Sequence, residues 1–309
     1  MGLSLNDLCV RFATPSGEVL AVNHATVSFR QEEATGIIGE TGSGKSVLGL
    51  SILGLLPAAA VSGRIFLDKR ELTALGEREM CQIRGREIAL VAQNPGTSLN
   101  PSLRAGRQIE EVFRLTGAGR REARARTLAL LERMGFSRPE ETARRYPFEL
   151  SGGMRQRVLT AIAAAAQPRW IIADEPTKGL DAVVREQVYD TLRLSRREGR
   201  WGLLVITHDL LLARKLCDRI VVMYCGRVVE TGPAPALFAA PRHPYTQGLI
   251  ASLPHLGMKP MPGFSPAFTD QPSGCVFHPR CPYAEERCRR EAPELTAAGE
   301  GSVCCHRCA

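Results

Sequence analysis

Gly39-Glu40-Thr41-Gly42-Ser43-Gly44-Lys45-Ser46 stands between a short apolar run, Thr35-Gly36-Ile37-Ile38, and a stretch from Lys45 to about Leu56 that reads as a helix. The octapeptide fits the phosphate-binding P-loop pattern, and chemistry explains the pattern. Glycines let the backbone turn tightly enough for several N–H groups to face one anion, and the helix that follows adds the positive end of its dipole. Lys45 is placed to reach the β- and γ-phosphates of a nucleotide, and the Ser46 hydroxyl to ligate Mg²⁺. A glycine-rich loop alone is a weak signal, because ordinary turns share it. A strand before it and a helix after it are the context this chemistry needs.

Outward from the loop, short apolar strands recur at Ile88 to Ala92, Trp170 to Ala173 and Leu203 to Ile206. The amphipathic stretch Asp181 to Arg197 separates the last two, and Asn94 to about Pro168 is helical in character, broken at Gly117, Gly135 and Pro147. Apolar strands alternating with helices predict an α/β fold with a parallel sheet and an inserted helical subdomain at about 94–168. The opening segments Leu3 to Ala13 and Val19 to Phe29 alternate as strands around a turn at Pro15-Ser16-Gly17, and Val61 to Leu67 reads as a further, edge strand. The strand Trp170 to Ala173 ends in Asp174-Glu175-Pro176. A strand-end carboxylate pair often does no more than cap a helix. Downstream of a P-loop it suits phosphoryl transfer, with Asp174 holding Mg²⁺ and Glu175 polarising the attacking water as general base.

Leu150-Ser151-Gly152-Gly153-Met154-Arg155-Gln156-Arg157 lies between these two motifs and resembles the signature sequence of the ABC ATPases. The resemblance covers roughly the first 230 residues, and the remaining family motifs fall in order. It implies an ABC-type P-loop ATPase with a RecA-like core sheet, an antiparallel β edge and the inserted helical subdomain, within a nucleotide-binding domain at 1–231. By the same resemblance Phe12 stacks on adenine, Gln93 is the Q-loop glutamine that senses Mg²⁺ and water, and His208 is the switch histidine at the γ-phosphate. Asp181 closes the D-loop Thr177-Lys178-Gly179-Leu180-Asp181, in which Lys178-Gly179 replaces the smaller or neutral residues of many relatives. Ser151, Gly152 and Gly153 are expected at the nucleotide of a second ATPase subunit, so that two chains sandwich two ATP molecules head to tail.

Composition narrows the function classes. The chain has 309 residues, 44% hydrophobic and 23% charged, enough for about two domains with a substantial core. No run approaches the ~18 apolar residues of a membrane span, and the first residues lack the basic and apolar regions of a signal peptide. The formal charge of +8 permits nucleic acid as a partner, yet the arginines are dispersed along amphipathic stretches such as Arg114 to Arg133 with few aromatics between them for base stacking. No nucleic-acid partner is expected. A soluble ABC protein acting on nucleic acid stays open as the alternative class.

After Gly232 the chain turns proline-rich and weakly periodic, a separate extension at 232–309. Six of the ten cysteines fall there: Cys275, Cys281, Cys288, Cys304, Cys305 and Cys308. In a reducing compartment such a cluster points to a metal more than to disulfides. Four thiolates suit either an iron–sulfur cluster or a tetrahedral zinc site, and the wide spacing favours the cluster over the close cysteine pairs typical of zinc. Unligated thiols are the remaining possibility. The segments Pro241 to Leu249 and Gly274 to Pro282 resemble the ATPase subunits of oligopeptide, dipeptide and nickel importers. Some members of that subfamily hold a [4Fe–4S] cluster, so the resemblance implies Cys275, Cys281, Cys288 and Cys305 as ligands, with Zn²⁺ as the alternative. It further implies an importer of short peptides or nickel or metal chelates. The expected partners are a second, related ATPase subunit, two transmembrane permease subunits and an extracytoplasmic solute-binding protein. The expected location is peripheral, at the cytoplasmic face of the membrane.

Overall fold

The computed structural model describes residues 2–15, 17–199, 201–254 and 257–308; Ser16, the centre of the expected first turn, lies outside them. The chain divides into two compact units, one of residues 1–76 with 206–309 and one of residues 77–205.

In the first unit, β1 (Gly2–Thr14) and β2 (Gly17–Arg30) form a long antiparallel hairpin. β2 alternates buried and exposed positions from Ala25 to Arg30, the pattern of a sheet with one wet face. β3 (Ala34–Ile38) is buried at every position and leads through the glycine loop into α1 (Lys45–Ile52). β4 (Ala59–Leu67) follows, then the two-residue β5 (Arg70–Glu71), giving the order β2-β1-β4-β5. β4 is thus not an edge, because β5 pairs with it at Phe66 and Leu67. α1 is shorter than the sequence suggests: Leu53 closes it and Gly54, at φ 59°, turns the chain away.

The second unit opens with α2 (Glu77–Ile83) and β6 (Ile88–Val91), then a helical run of α3 (Pro95–Ser98), α4 (Ala105–Leu115), α5 (Arg120–Arg133), α6 (Pro139–Arg144) and α7 (Gly152–Ala165). β7 (Trp170–Asp174) lies parallel to β6, pairing Ile88 with Trp170 and Val91 with Ala173. α8 (Ala182–Gly199) leads to β8 (Gly202–Thr207), the next strand beyond β7. An added Cβ at Gly202 would lie 2.5 Å from the Trp170 ring, so the glycine is what lets this large buried indole pack at the start of the sheet. Of the expected amphipathic stretch Asp181 to Arg197, the side chains from 194 onward lie outside the described set.

Back in the first unit, α9 (Leu210–Leu216) packs on β3, and β9 (Arg219–Tyr224) runs parallel to β3 with Ile37 opposite Val221. β10 (Arg227–Pro233) returns antiparallel, followed by α10 (Ala234–Ala239) and α11 (Pro244–Ala251). The proline-rich tail does not stand apart. After α12 (Glu286–Arg290), β11 (Thr296–Ala298) and β12 (Gly301–Val303) form a small hairpin, and β12 pairs with β10 at Glu230 and Thr231. These strands are only three residues long, too short for periodicity to reveal. Among the described residues no helix is long and apolar enough to cross a membrane.

Candidate functional site

The loop between β3 and α1 has the shape its glycines dictate. Gly39 has φ 152° and Gly44 φ 96°, where side chains are strained. A Cβ on Gly39 would sit 2.2 Å from the Met223 carbonyl oxygen, and one on Gly44 2.2 Å from that of Ala21. Gly44→Ala is therefore expected to cost on the order of 2–4 kcal/mol and to weaken nucleotide binding. Denaturant unfolding and a nucleotide titration of the same preparation check it, and an unchanged unfolding midpoint would contradict the close approach.

Lys45 is buried within its own loop. Its Nζ donates to the carbonyls of Gly39 at 2.9 Å and Glu40 at 2.7 Å, and to Ser43 Oγ at 3.2 Å. The ammonium thus sits where the loop curves, as an anion-binding cradle requires. The Ser43 carbonyl accepts from Gly226 N–H at 3.0 Å, the Gly226 carbonyl from Asn23 N–H at 2.9 Å, and these two bonds tie the loop to the β9–β10 turn and to β2.

Glu40 adds a carboxylate to a loop built for anions, and sequence reasoning gave it no partner. In the structure Arg280 grips it with two hydrogen bonds, Nη1 to Oε2 at 2.9 Å and Nη2 to Oε1 at 3.1 Å. Ser265 Oγ also donates to Oε2, and Glu40 N–H donates to the Tyr245 hydroxyl at 2.8 Å. Partial burial pushes the Glu40 carboxyl up, but the hydrogen bonds from Arg280 and Ser265 and the charges of Arg280 and Lys45 outweigh it and hold it below the usual range. Arg280 is itself nearly buried and packs over Tyr224, which forms an aromatic cluster with Tyr245 and Phe277 at centroid distances of 4.6 and 5.2 Å. A lone acid in a P-loop signals that a cation must answer it, but sequence cannot say which of forty lysines and arginines does so.

The other expected residues of the first unit fall at strand ends. Phe12 is half-buried in β1, opposite Val19 of β2 and Ala59 of β4. His208 is exposed directly after β8, and its neighbours fix the turn. Thr207 Oγ1 accepts from Asp209 N–H at 3.0 Å, and Asp209 Oδ1 caps α9 by accepting from Leu211 and Leu212 N–H.

The second unit gathers the remaining residues. Asp174 is the last residue of β7, and Glu175 follows at φ 46°; both are buried. A left-handed glutamate is a strained conformation of the kind found at functional sites. Gln93 comes two residues after β6 ends. Asp181 Oδ1 accepts from Val184 N–H at 2.9 Å, so it caps α8 as well as closing the loop after Glu175. Ser151 caps α7, its Oγ accepting from Met154 N–H at 3.3 Å. Ser151 and Gly152 are exposed, and the first turn of α7 contains no acid, so its positive end is open to an anion. Gly153 is needed for packing: a Cβ there would meet Val184 Cγ1 at 2.0 Å.

In the tail, Cys275, Cys281, Cys288 and Cys305 line one recess, with Tyr283 and His278 beside them. Burial pushes the Cys275 thiol up to about 11, with smaller contributions from the charges of Cys288, Cys305 and Cys281. Of the other two tail cysteines, Cys304 Sγ donates to the Pro293 carbonyl at 3.1 Å, and Cys308 Sγ donates to that of Arg242 at 3.5 Å while also hydrogen-bonding Cys305. Among the described residues no group of three or more His, Cys, Asp or Glu is arranged to hold a metal ion.

Residues 22–178 match the family described as ABC transporter. The chain belongs to that family. Residues 229–288 match a second one, described as the C-terminal region of oligopeptide/dipeptide transporters. The dipeptide transport ATP-binding protein DppD of Escherichia coli (strain K12) is 40% identical over 307 residues, covering 97% of this chain and 94% of DppD. The oligopeptide transport ATP-binding protein OppD of Salmonella typhimurium is 41% identical over 308 residues, covering 97% of this chain and 92% of OppD. Among solved structures, the dimeric post-hydrolysis state of the ATP-binding cassette MJ0796 with ADP and Pi aligns at TM-score 0.67 and 29% identity, over 75% of this chain and 98% of that one. The ABC subunit described here is thus an ATPase, which hydrolyses ATP with water and works with Mg²⁺ as its metal ion.

Proposed function

We propose that this ATPase energises an importer of short peptides, with ATP-driven closure of an ATPase dimer coupled to membrane permease subunits. The observation that carries the reading is the pairing of an ABC domain with an oligopeptide-importer tail in one chain, matched along nearly its whole length by peptide-transport ATPases. In this reading Lys45 and backbone N–H groups of the 39–46 loop other than that of Glu40 bind the phosphates, Phe12 supports adenine, and Ser46, Gln93 and Asp174 serve the Mg²⁺. Glu175 takes the proton of the attacking water and His208 contacts the γ-phosphate. Ser151, Gly152 and Gly153 grip the nucleotide bound to the opposing subunit, and Asp181 lies in the loop that crosses the dimer interface. The opposing ATPase is a related chain, and an extracytoplasmic solute-binding protein delivers the solute. The protein works at the cytoplasmic face of the membrane without spanning it.

Co-expression with the permease subunits, partner ATPase and solute-binding protein tests this directly. The expected result is co-purification from the membrane fraction and ATPase activity that rises with di- to oligopeptides. Stimulation by a nickel chelate alone would move the substrate to metal complexes. A chain that stays in the soluble fraction and responds to DNA or RNA would overturn the transport reading.

The tail cysteines support a finer proposal, that Cys275, Cys281, Cys288 and Cys305 hold a [4Fe–4S] cluster. What supports it is four thiols around one recess, with Cys304 bonded to the Pro293 carbonyl. Such a group, held by these four cysteines, would supply a covalent staple for a proline-rich segment with little core of its own. Anaerobic purification is expected to give a brown protein with a broad absorbance near the visible edge that Cys281→Ser diminishes. A colourless protein with stoichiometric zinc would exclude the cluster.

A further inference from the structure

The tail and the phosphate loop meet in the first unit, directly at Glu40 and, at the loop's other end, through β2 and the β9–β10 turn. At the near end stand Arg280, Ser265 and Tyr245, all on Glu40. At the far end Gln271 Nε2 donates to the Leu20 carbonyl at 3.0 Å, and its Oε1 accepts from Asn23 Nδ2 at 3.1 Å. Asn23 is the residue whose backbone holds Gly226, which in turn holds Ser43. A tail segment far away in sequence therefore braces the loop from two sides, and the brace is polar, directional and for the most part half-buried.

We propose that Arg280 is a positioning residue for ATP: through Glu40 it sets the curvature of the phosphate loop, and the tail is thereby a working part of the nucleotide site. This rests on the assignment of residues 39–46 to the triphosphate. Three features of the geometry carry it. The Arg280–Glu40 contact is two-pronged, so it fixes the orientation of the carboxylate as well as its place. Glu40 contributes its carbonyl to Lys45 Nζ, so a shift of Glu40 moves an oxygen that holds the phosphate-binding ammonium. Arg280 supplies the cation that balances a carboxylate set among anion-binding groups; without it Glu40 repels the incoming phosphates. The Tyr245 hydroxyl adds the third restraint by engaging Glu40 N–H, which leaves that N–H turned toward the tail.

The test measures MgATP affinity, steady-state kinetics and melting temperature of the full chain with its partner subunits. Arg280→Met is expected to raise Kd and KM for MgATP about tenfold while kcat at saturating ATP stays within twofold. Arg280→Lys, which keeps the charge but not the fork, recovers part of the loss, and Tyr245→Phe raises Kd two- to fivefold. In the Glu40→Gln background the further effect of Arg280→Met largely disappears, because both substitutions break one contact. The proposal is overturned if Arg280→Met, or Arg280→Lys should the methionine variant not fold, lowers only the melting temperature and leaves Kd at the parent value. It is equally overturned if the effects of Glu40→Gln and Arg280→Met multiply in the double variant. Lys45→Ala run alongside separates the two levels of the argument. If that variant binds MgATP like the parent, the phosphate-site assignment fails; if it does not bind and Arg280→Met binds normally, only the brace fails.

Discussion

Replacing Glu175 with glutamine is expected to lower the steady-state rate of ATP hydrolysis by about 10²–10⁴-fold, the usual contribution of a positioned general base, while MgATP binding stays within a few-fold of the parent. The substitution is nearly isosteric, and the amide accepts the left-handed backbone at φ 46° no worse than the acid does. What it loses is the ability to take a proton from water. In the proposed cycle hydrolysis reopens an ATP-closed dimer, so the variant should accumulate as a closed pair with its partner subunit when MgATP is present. Single-turnover hydrolysis and size-exclusion chromatography with and without MgATP measure the two halves of this prediction. Parent-like turnover would assign the base elsewhere. Lost turnover together with lost binding would mean that Glu175 shapes the site and does not serve the chemical step alone.

The features legible in the sequence are those whose chemistry is contiguous. The octapeptide Gly39 to Ser46 is readable because a tight anion-binding turn needs glycines at fixed offsets from a lysine, and the structure places Gly39 and Gly44 at positive φ against neighbouring carbonyls. The strand-end pair Asp174-Glu175 and the helix start at Ser151 are readable for the same reason, since each is a local junction of regular elements. Strand β4 reads as an edge in the sequence because its neighbour on the outer side, β5, is two residues long. The tail is less legible. Its proline content and weak periodicity suggested separation, whereas a three-residue strand on β10 and a few side chains fasten it to the ATPase core. Glu40 and Arg280 are 240 positions apart, and nothing local to either residue names the other.

Lys45→Ala should abolish ATP binding at ordinary nucleotide concentrations without unfolding the chain. The ammonium has two duties, and they point the same way. Towards the nucleotide its proposed role is the loop's charge-assisted donor for the phosphates, and losing such contacts costs about 2–4 kcal/mol, or about 30- to 1000-fold in Kd. Towards the protein it gathers the carbonyls of Gly39 and Glu40 and the Ser43 hydroxyl around one cation. Alanine leaves those acceptors without their shared donor, so the cradle loosens as well as losing charge. The fold should survive, because β3 is held by β9 and α9 independently of the lysine. Isothermal titration with MgATP, paired with thermal unfolding, distinguishes the outcomes. A Kd within threefold of the parent would mean that the triphosphate is bound elsewhere, and the roles given to Ser46, Glu40 and Arg280 would fall with it. A Lys45→Arg variant refines the reading: it keeps the charge, but the planar guanidinium is too large for a pocket closed by three oxygens. It should therefore rescue little, because the site demands a compact point charge as well as a positive sign.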